Sequence, residues 1–316
     1  METTQDFLPL AQRPRPSIAT ACALMLLAAA GLWLSSVIAG AFLPGYTQVF
    51  LADLVFYGFF VLLPVVLLCV RRPGLSDGLR LNPLPFAPTL MIALMAVMSV
   101  YAASALNGLW EMLLEGLGVP EPPLDVAVDS RQALMLSILH TAAIPAVCEE
   151  LLCRGVVFAA FESRGTFRGL WVSSALFALL HSNLYGLPAY FMVGALSAFI
   201  VYAVDSIYAG MFFHTVYNTA ILVIMHQFAH TDAAAQAEAM SGNELFLTLI
   251  SDLAIVGISI ALMVASLNLR RKTRGIEPVP RAPWRLNPRE KAMLAALLLA
   301  LAVSTAAITA MSGAMA

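Results

Sequence analysis

The chain has 316 residues, of which 60% are hydrophobic and 11% are charged, and its formal net charge is −2. Soluble domains carry about 25% charged residues, so this composition excludes an ordinary soluble globular protein. The mean hydropathy of +0.85 indicates a membrane protein. The sequence has no signature of nucleic-acid binding, and no nucleic-acid partner is expected.

Apolar stretches of about 20 residues, the length that crosses a bilayer, recur along the whole chain. The fourth stretch is too long for one straight crossing, and Pro145 is expected to kink or split it because proline lacks a backbone donor. The predicted fold class is therefore an all-α polytopic transmembrane helix bundle with about nine spans. In chain order these lie near 17–43, 48–70, 86–110, 132–161, 168–185, 188–204, 209–228, 245–268 and 292–312.

The placement of lysine and arginine predicts how the chain is oriented in the membrane, because these residues are enriched in cytoplasmic loops. With nine spans, a cytoplasmic N-terminus puts nearly all of them on the cytoplasmic side and the acidic loop at 111–131 on the other. We therefore expect a multi-pass protein of the cell (inner) membrane of a bacterium. The basic residues concerned are Arg13, Arg15, Arg71, Arg72, Arg80, Arg164, Arg168, Arg270, Arg271, Lys272, Arg274, Arg281, Arg285, Arg289 and Lys291.

Three ionisable side chains stand together in the fourth span, where residues 148–154 read CEELLCR. A charge at the centre of a bilayer costs roughly 2.5–3.5 kcal/mol, so such residues are rare and mark functional sites. Glu150 and Arg154 are four residues apart, share a helix face and are predicted to form a structural ion pair. Glu149 is less well placed for Arg154, which leaves it as the candidate functional carboxylate.

The fifth and seventh spans bring further polar groups, which are predicted to reach a similar membrane depth. Glu149 lies 13 residues before Glu162, and His181 lies 13 residues after Arg168, so each is about 20 Å along its span. His214 and Asn218 are four residues apart in the seventh span and share one face. The sequence therefore predicts a single polar site embedded in the membrane.

This set of side chains suits the hydrolysis of an amide bond by water. Glu149 is the candidate general base, and His181 is the candidate group that positions the water. His214 and Asn218 are the candidate donors to the oxygen on which negative charge develops. No cofactor is predicted, but two histidines and a glutamate are also zinc ligands, so zinc remains an alternative although the motif His-Glu-x-x-His is lacking.

Three motifs resemble those of the CAAX protease and bacteriocin-processing (CPBP) family of intramembrane proteases, which includes type II CAAX prenyl endopeptidases. EELLCRG at Glu149–Gly155, FALLH at Phe177–His181 and HTVYN at His214–Asn218 are similar to its patterns Glu-Glu-x-x-x-Arg, Phe-x-x-x-His and His-x-x-x-Asn/Asp. The resemblance covers roughly 131–228. It implies a bundle of about eight helices around a membrane-embedded chamber and a glutamate-based mechanism without metal, with the first glutamate as base.

One position departs from the family pattern, because the family often has phenylalanine where this chain has Cys153. Cys153 is four residues after Glu149 and shares its predicted face. Two interpretations stay open. The thiol is a small buried hydrophobe, as free cysteine commonly is, or it is a nucleophile that turns hydrolysis into transpeptidation.

The predicted organisation has three parts. Residues 1–130 hold spans one to three and the acidic loop, 131–228 form the catalytic core, and 229–316 hold the last two spans with a basic cytoplasmic linker. The predicted function is an intramembrane endopeptidase that acts on a membrane-associated protein or peptide, in C-terminal processing or sorting. The alternatives are a Cys153-assisted sorting transpeptidase, a non-catalytic bacteriocin-immunity or scaffold protein, and a transporter.

Overall fold

The computed structural model describes residues 12–42, 46–72, 74–84, 86–119, 128–229, 241–244, 246–254, 256–258, 261 and 279–315. Every regular element in these ranges is helical. The main helices are α1 (Ile18–Phe42), α2 (46–71), α3 (Phe86–Gly116), α4 (131–162), α5 (Thr166–Leu180), α6 (Leu187–Val204), α7 (Ile207–Phe228) and α8 (Pro288–Met315).

Length and apolar composition allow six helices of the described part to cross a membrane. The predicted all-α polytopic bundle is thereby confirmed, while the number of nine spans and the three-part organisation stay predictions. Eleven of the 24 residues of the span predicted at 245–268 lie outside the described residues, and so do residues 270–278 of the basic linker. The six segments are Ile18–Ser35, Phe50–Arg71, Pro88–Gly116, Leu187–Val204, Ile207–Phe228 and Pro288–Ala310.

Helix α4 lies at the centre of the bundle and contacts α1, α2, α5, α6 and α7. Small residues let its neighbours approach closely, as is usual between helices in membranes. A Cβ atom at Gly210 of α7 would lie 2.7 Å from Oε2 of Glu150 and 2.5 Å from a methyl group of Val201. Glycine at this position therefore sets the distance between α7 and the carboxylate of α4.

Two helices depart from regular α-helical geometry. In α2, residues Phe56–Leu62 form a π-helical stretch, and α4 contains two more, at Ile138–Ala143 and Leu151–Phe158. Helix α4 is nevertheless helical without interruption from 131 to 162. Pro145, which was expected to kink or split it, lies two residues after the π-helical stretch Ile138–Ala143.

A group of five charged side chains, the arginine cluster, ties together four segments at one end of the bundle. Both terminal nitrogens of Arg13 donate to the carboxylate of Asp205 at 2.7 Å. Nη2 of Arg80 donates to both oxygens of Glu162 at 2.8 Å, and its Nε lies 3.3 Å from Asp205. Arg15 completes the cluster with a 3.3 Å hydrogen bond to Glu162. The cluster connects the segment before α1, the loop before α3, the end of α4 and the turn between α6 and α7.

Candidate active site

The two adjacent glutamates of α4 point to different partners. Glu150 is completely buried, and its Oε1 lies 2.9 Å from Nη1 of Arg154. Ser197 of α6 donates to Oε2 of Glu150 at 2.6 Å. Arg154 in turn donates to the carbonyl oxygen of Gly194 and lies over the ring of Phe177, 4.4 Å from its centroid. Glu150 and Arg154 thus form a buried ion pair with hydrogen bonds to α6.

Glu149 has a different environment. Tyr57 of α2 donates to its Oε1 at 2.7 Å, whereas Oε2 is buried and has no hydrogen-bond partner among the described residues. Nε2 of His181 lies 3.9 Å from this oxygen, and Nε2 of His214 lies 4.0 Å from it. The structure therefore brings Glu149, His181 and His214 together from three helices.

The other ring nitrogen of each histidine fixes how its imidazole is oriented. Nδ1 of His181 lies 2.9 Å from the carbonyl oxygen of Phe177, which can only accept, so Nδ1 carries a hydrogen. Nδ1 of His214 lies 3.2 Å from the carboxylate of Glu150, and the same argument applies. In its neutral form, each imidazole therefore turns an unprotonated Nε2 toward Glu149.

Aromatic rings hold the two imidazoles in place. The ring of Phe177 meets His181 and His214 edge to face, with centroids 4.7 and 5.6 Å apart. Tyr190 of α6 stacks on His181 with centroids 4.0 Å apart and an interplanar angle of 18°. Such aromatic contacts restrict ring rotation, so these side chains present a fixed set of nitrogen atoms to Glu149.

The turn that carries His181 is held by both terminal helices. Ser182, the next residue, has a φ of 52°, in the left-handed region that non-glycine residues seldom adopt. Its hydroxyl lies 2.6 Å from that of Ser304 in α8, to which Trp33 of α1 also donates at 2.7 Å. Helices outside the motif-bearing segment therefore support the position of His181.

Asn218 lies one helical turn beyond His214, as its spacing predicts, but none of its described contacts reaches Glu149 or the histidines. Its amide nitrogen donates to the carbonyl oxygen of Thr141 at 3.1 Å. An amide nitrogen carries two hydrogens, so this bond leaves one N–H for another acceptor. The proposed oxyanion role of Asn218 remains a prediction.

Cys153 is completely buried in the largest apolar cluster of the bundle, together with Val156 and Val157. Its peptide carbonyl accepts a hydrogen bond from Ser173 of α5. The thiol therefore packs in the interior of the bundle, and its role as a nucleophile remains a hypothesis.

Zinc fits this site poorly as it is arranged. Tetrahedral ligands about 2.0–2.1 Å from a zinc ion lie roughly 3.4 Å from one another. Oε2 of Glu149 is 3.9 and 4.0 Å from the nearest nitrogens of His181 and His214. In the described part of the chain, no group of three histidine, cysteine or acidic side chains has the geometry to hold a metal ion.

Reasoning from sequence spacing did not identify several residues that contact the site. Tyr57, Tyr190 and Ser197 come from helices other than those that carry Glu149, His181 and His214. No fixed separation along the chain links them to the motifs. The signal that could have found Tyr57 is its phenolic hydroxyl within a largely apolar span, because such a group needs a hydrogen-bond partner in a membrane.

Comparison with known proteins agrees with the motifs. Residues 131–220 match the family described as Type II CAAX prenyl endopeptidase Rce1-like. Over 174 residues the chain is 26% identical to the Bacillus subtilis (strain 168) protein named "Putative membrane peptidase YdiL", an alignment that covers 52% of this chain and 68% of that protein. No solved structure matches the chain. These findings confirm the resemblance to the CPBP family, and Glu149, His181, His214 and Asn218 all lie in the matched segment.

Proposed function

Since residues 131–220 are an Rce1-like segment, we propose that this chain is an intramembrane endopeptidase that hydrolyses a peptide bond of a membrane-associated protein or peptide. The observation that carries the proposal is the approach of both histidine Nε2 atoms to within 4.0 Å of Oε2 of Glu149. A buried carboxylate oxygen without a donor is unfavourable for stability. An oxygen that can still accept a proton, beside two imidazoles, suits the activation of water.

The 3.9 Å separation between Oε2 of Glu149 and Nε2 of His181 is one that a bridging water molecule can span. A water molecule about 2.8 Å from both Oε2 of Glu149 and Nε2 of His181 spans their separation at an angle of about 90°. It donates one hydrogen to each, since both atoms accept. Glu149 takes its proton as the water oxygen attacks the scissile carbonyl carbon, and His181 holds the water in line.

The attack places negative charge on the carbonyl oxygen of the substrate. His214 can donate to that oxygen through Nε2 only when both of its nitrogens are protonated, because Nδ1 is turned toward Glu150. The carboxylate of Glu150 is the counter-ion for such an imidazolium, and the second N–H of Asn218 is an additional donor. The C–N bond then breaks, and the proton held by Glu149 passes to the leaving nitrogen.

The substrate class follows from the setting of the site. Substrate must reach Glu149 among helices long enough to cross a membrane, and lateral entry between helices suits a peptide that is itself anchored there. We infer C-terminal processing or sorting of a protein with a C-terminal anchor helix. The arginine distribution supports an orientation with the N-terminus in the cytoplasm, and the similarity to a Bacillus subtilis protein supports a bacterial cell membrane.

The proposal is tested with the full chain in proteoliposomes and a set of membrane-anchored peptides, whose products are followed by mass spectrometry. Glu149→Gln keeps the shape of the side chain and removes the base, so kcat should fall by about 10²–10⁴-fold. Glu115→Gln, which changes an exposed carboxylate at the end of α3, is the matched control and should behave as the parent.

Equal product formation by Glu149→Gln and the parent would overturn the glutamate mechanism. Cellular function that survives Glu149→Gln, with no product from any peptide, would support the non-catalytic immunity or scaffold role instead. These two outcomes differ in whether the parent cleaves a peptide at all.

A further inference from the structure

The one described hydrogen bond that Glu149 receives comes from a residue outside the Rce1-like segment. Tyr57 of α2 donates its phenolic hydrogen to Oε1 of Glu149 at 2.7 Å. We propose that Tyr57 is a positioning residue for this reaction, which holds Oε1 and so leaves Oε2 as the oxygen that accepts the proton of water. The inference rests on the proposed function of Glu149 as general base.

The bond distinguishes two oxygens that are otherwise chemically equivalent. A glutamate side chain has several rotatable bonds, and its carboxylate can turn either oxygen toward the histidines. A phenol that donates to a carboxylate forms a short, charge-assisted hydrogen bond, which fixes that choice. Because a misplacement of about 1 Å can lower a rate about 10²-fold, fixing the base contributes directly to catalysis.

Tyr57 is itself held in place. It packs against the apolar cluster that contains Cys148, the residue before Glu149. Its ring also contacts that of Phe56, with centroids 4.7 Å apart. Tyr57 is partly buried beside these groups, and its phenolic oxygen has the carboxylate of Glu149 as its described hydrogen-bond partner.

Both helices leave regular α-helical geometry at or close to this contact. The π-helical stretch Phe56–Leu62 of α2 contains Tyr57, and the stretch Leu151–Phe158 of α4 begins directly after Glu150. A π-helical turn changes the direction of the side chains that follow it and is frequent at functional sites. Tyr57 thus lies within one π-helical stretch and Glu149 lies two residues before another, a setting that favours a functional role over incidental packing.

The test removes only the phenolic oxygen. Tyr57→Phe should lower kcat by about 10- to 100-fold and leave KM within about twofold, because a hydrogen bond to a charged group is lost while the substrate contacts stay. Tyr208→Phe is the matched control. Its side chain is 44% exposed and makes no described hydrogen bond, so this variant should match the parent.

Infrared spectroscopy supplies a readout that needs no substrate. Subtraction of the spectrum of Glu149→Gln from that of the parent isolates the carboxylate stretching band of Glu149. This band should shift in Tyr57→Phe and stay in place in Tyr208→Phe. If Tyr57→Phe does not fold, 3-fluorotyrosine at position 57 keeps the ring and the hydroxyl group and makes the donor more acidic, and the band must still move.

The outcomes separate the contact, the role and the proposed function. If the carboxylate band of Glu149 is unchanged in Tyr57→Phe, the contact between the two residues is overturned. If the band shifts but kcat stays at the parent value, the positioning role is overturned. A shifted band with a fall in kcat and a constant KM supports both. If Glu149→Gln cleaves as the parent does while the band shifts in Tyr57→Phe, the proposed function fails and the positioning role fails with it, although the contact stands.

Discussion

Two buried polar clusters of this bundle differ in how completely their carboxylates are satisfied. In the arginine cluster, all four carboxylate oxygens of Glu162 and Asp205 accept hydrogen bonds. In Glu149, one oxygen accepts from Tyr57 and the other has no donor among the described residues. The donors to the arginine cluster are Arg13, Arg15, Arg80, Asn82 and Thr166.

This difference indicates that one group of buried carboxylates is structural and that the other can take part in proton transfer. Carboxylates whose oxygens all accept hydrogen bonds, such as those of Glu162 and Asp205, fix the relative positions of segments, because removal of a carboxylate leaves buried arginines without their counter-charge. The unsatisfied oxygen of Glu149 contributes less to stability and remains able to accept a proton. A Glu→Gln substitution should therefore mainly lower activity at Glu149 and mainly lower stability in the arginine cluster.

The largest expected effect comes from comparing Glu149→Gln with Glu162→Gln. Glu162→Gln leaves Arg80 and Arg15 without a full counter-charge and should lower the free energy of unfolding by about 3–5 kcal/mol. Glu149→Gln should leave the melting temperature close to that of the parent while kcat falls by about 10²–10⁴-fold. Thermal unfolding of the solubilised full chain and peptide cleavage measure the two effects. A strongly destabilised Glu149→Gln would remove the distinction between the clusters.

A smaller effect on stability is expected at Gly210, where the backbone of α7 approaches the ion pair of Glu150. Gly210→Ala places a Cβ atom 2.7 Å from Oε2 of Glu150 and 2.5 Å from a methyl group of Val201, so these side chains or α7 itself must shift. Overpacking of this kind should cost about 1–3 kcal/mol of unfolding free energy, and it should also lower cleavage because α7 carries His214. Gly116→Ala, with open space around its Cβ, is the control. A parent-like melting temperature for Gly210→Ala would contradict this packing.

A still smaller effect is expected at Cys153. Cys153→Ala removes one buried heavy atom from an apolar cluster, so it should cost about 1 kcal/mol of unfolding free energy and leave product formation within about twofold. Cys148→Ala is the control for loss of a buried thiol beside the same site. Loss of product in Cys153→Ala alone would instead support the transpeptidase hypothesis, and an acyl-enzyme should then be trapped on the parent.

Removal of metal should have no effect. The separations of Glu149 from His181 and His214 exceed those of zinc ligands, so cleavage should persist after exhaustive chelation. Activity is measured on the dialysed full chain, and metal content is measured on the same sample. Activity lost on chelation and restored by added zinc would overturn this expectation.

The parts of the site that could be predicted are local. Glu150 and Arg154, like Phe177 and His181, are four residues apart on one helix, and such pairs depend only on helical geometry. Apolar length likewise predicted the helix bundle, because the bilayer sets the length of a span. Among the candidates, Asn218 shows the limit of this reasoning. Its face was predicted, whereas its bond to Thr141 depends on how α7 packs against α4.

The remaining parts depend on contacts between helices that are distant in the chain. Tyr57 is 92 residues from Glu149, and no periodicity relates the two. The π-helical stretch at Leu151–Phe158 was also not predicted, because spacing arguments assume a regular turn throughout. Interhelical packing therefore decides which polar group reaches the carboxylate, and sequence spacing alone does not carry that information.

The bond between Arg13 and Asp205 has a consequence for how the protein is made. The two residues are 192 positions apart, so the partner of Arg13 does not yet exist when the first helix enters the membrane. At about 5–20 residues per second, the ribosome needs about 10–40 s to reach Asp205. Throughout that interval the N-terminal segment has to remain undocked, and its arginine has to be shielded by water or lipid head groups. Final closure of the bundle is therefore a late event of biogenesis.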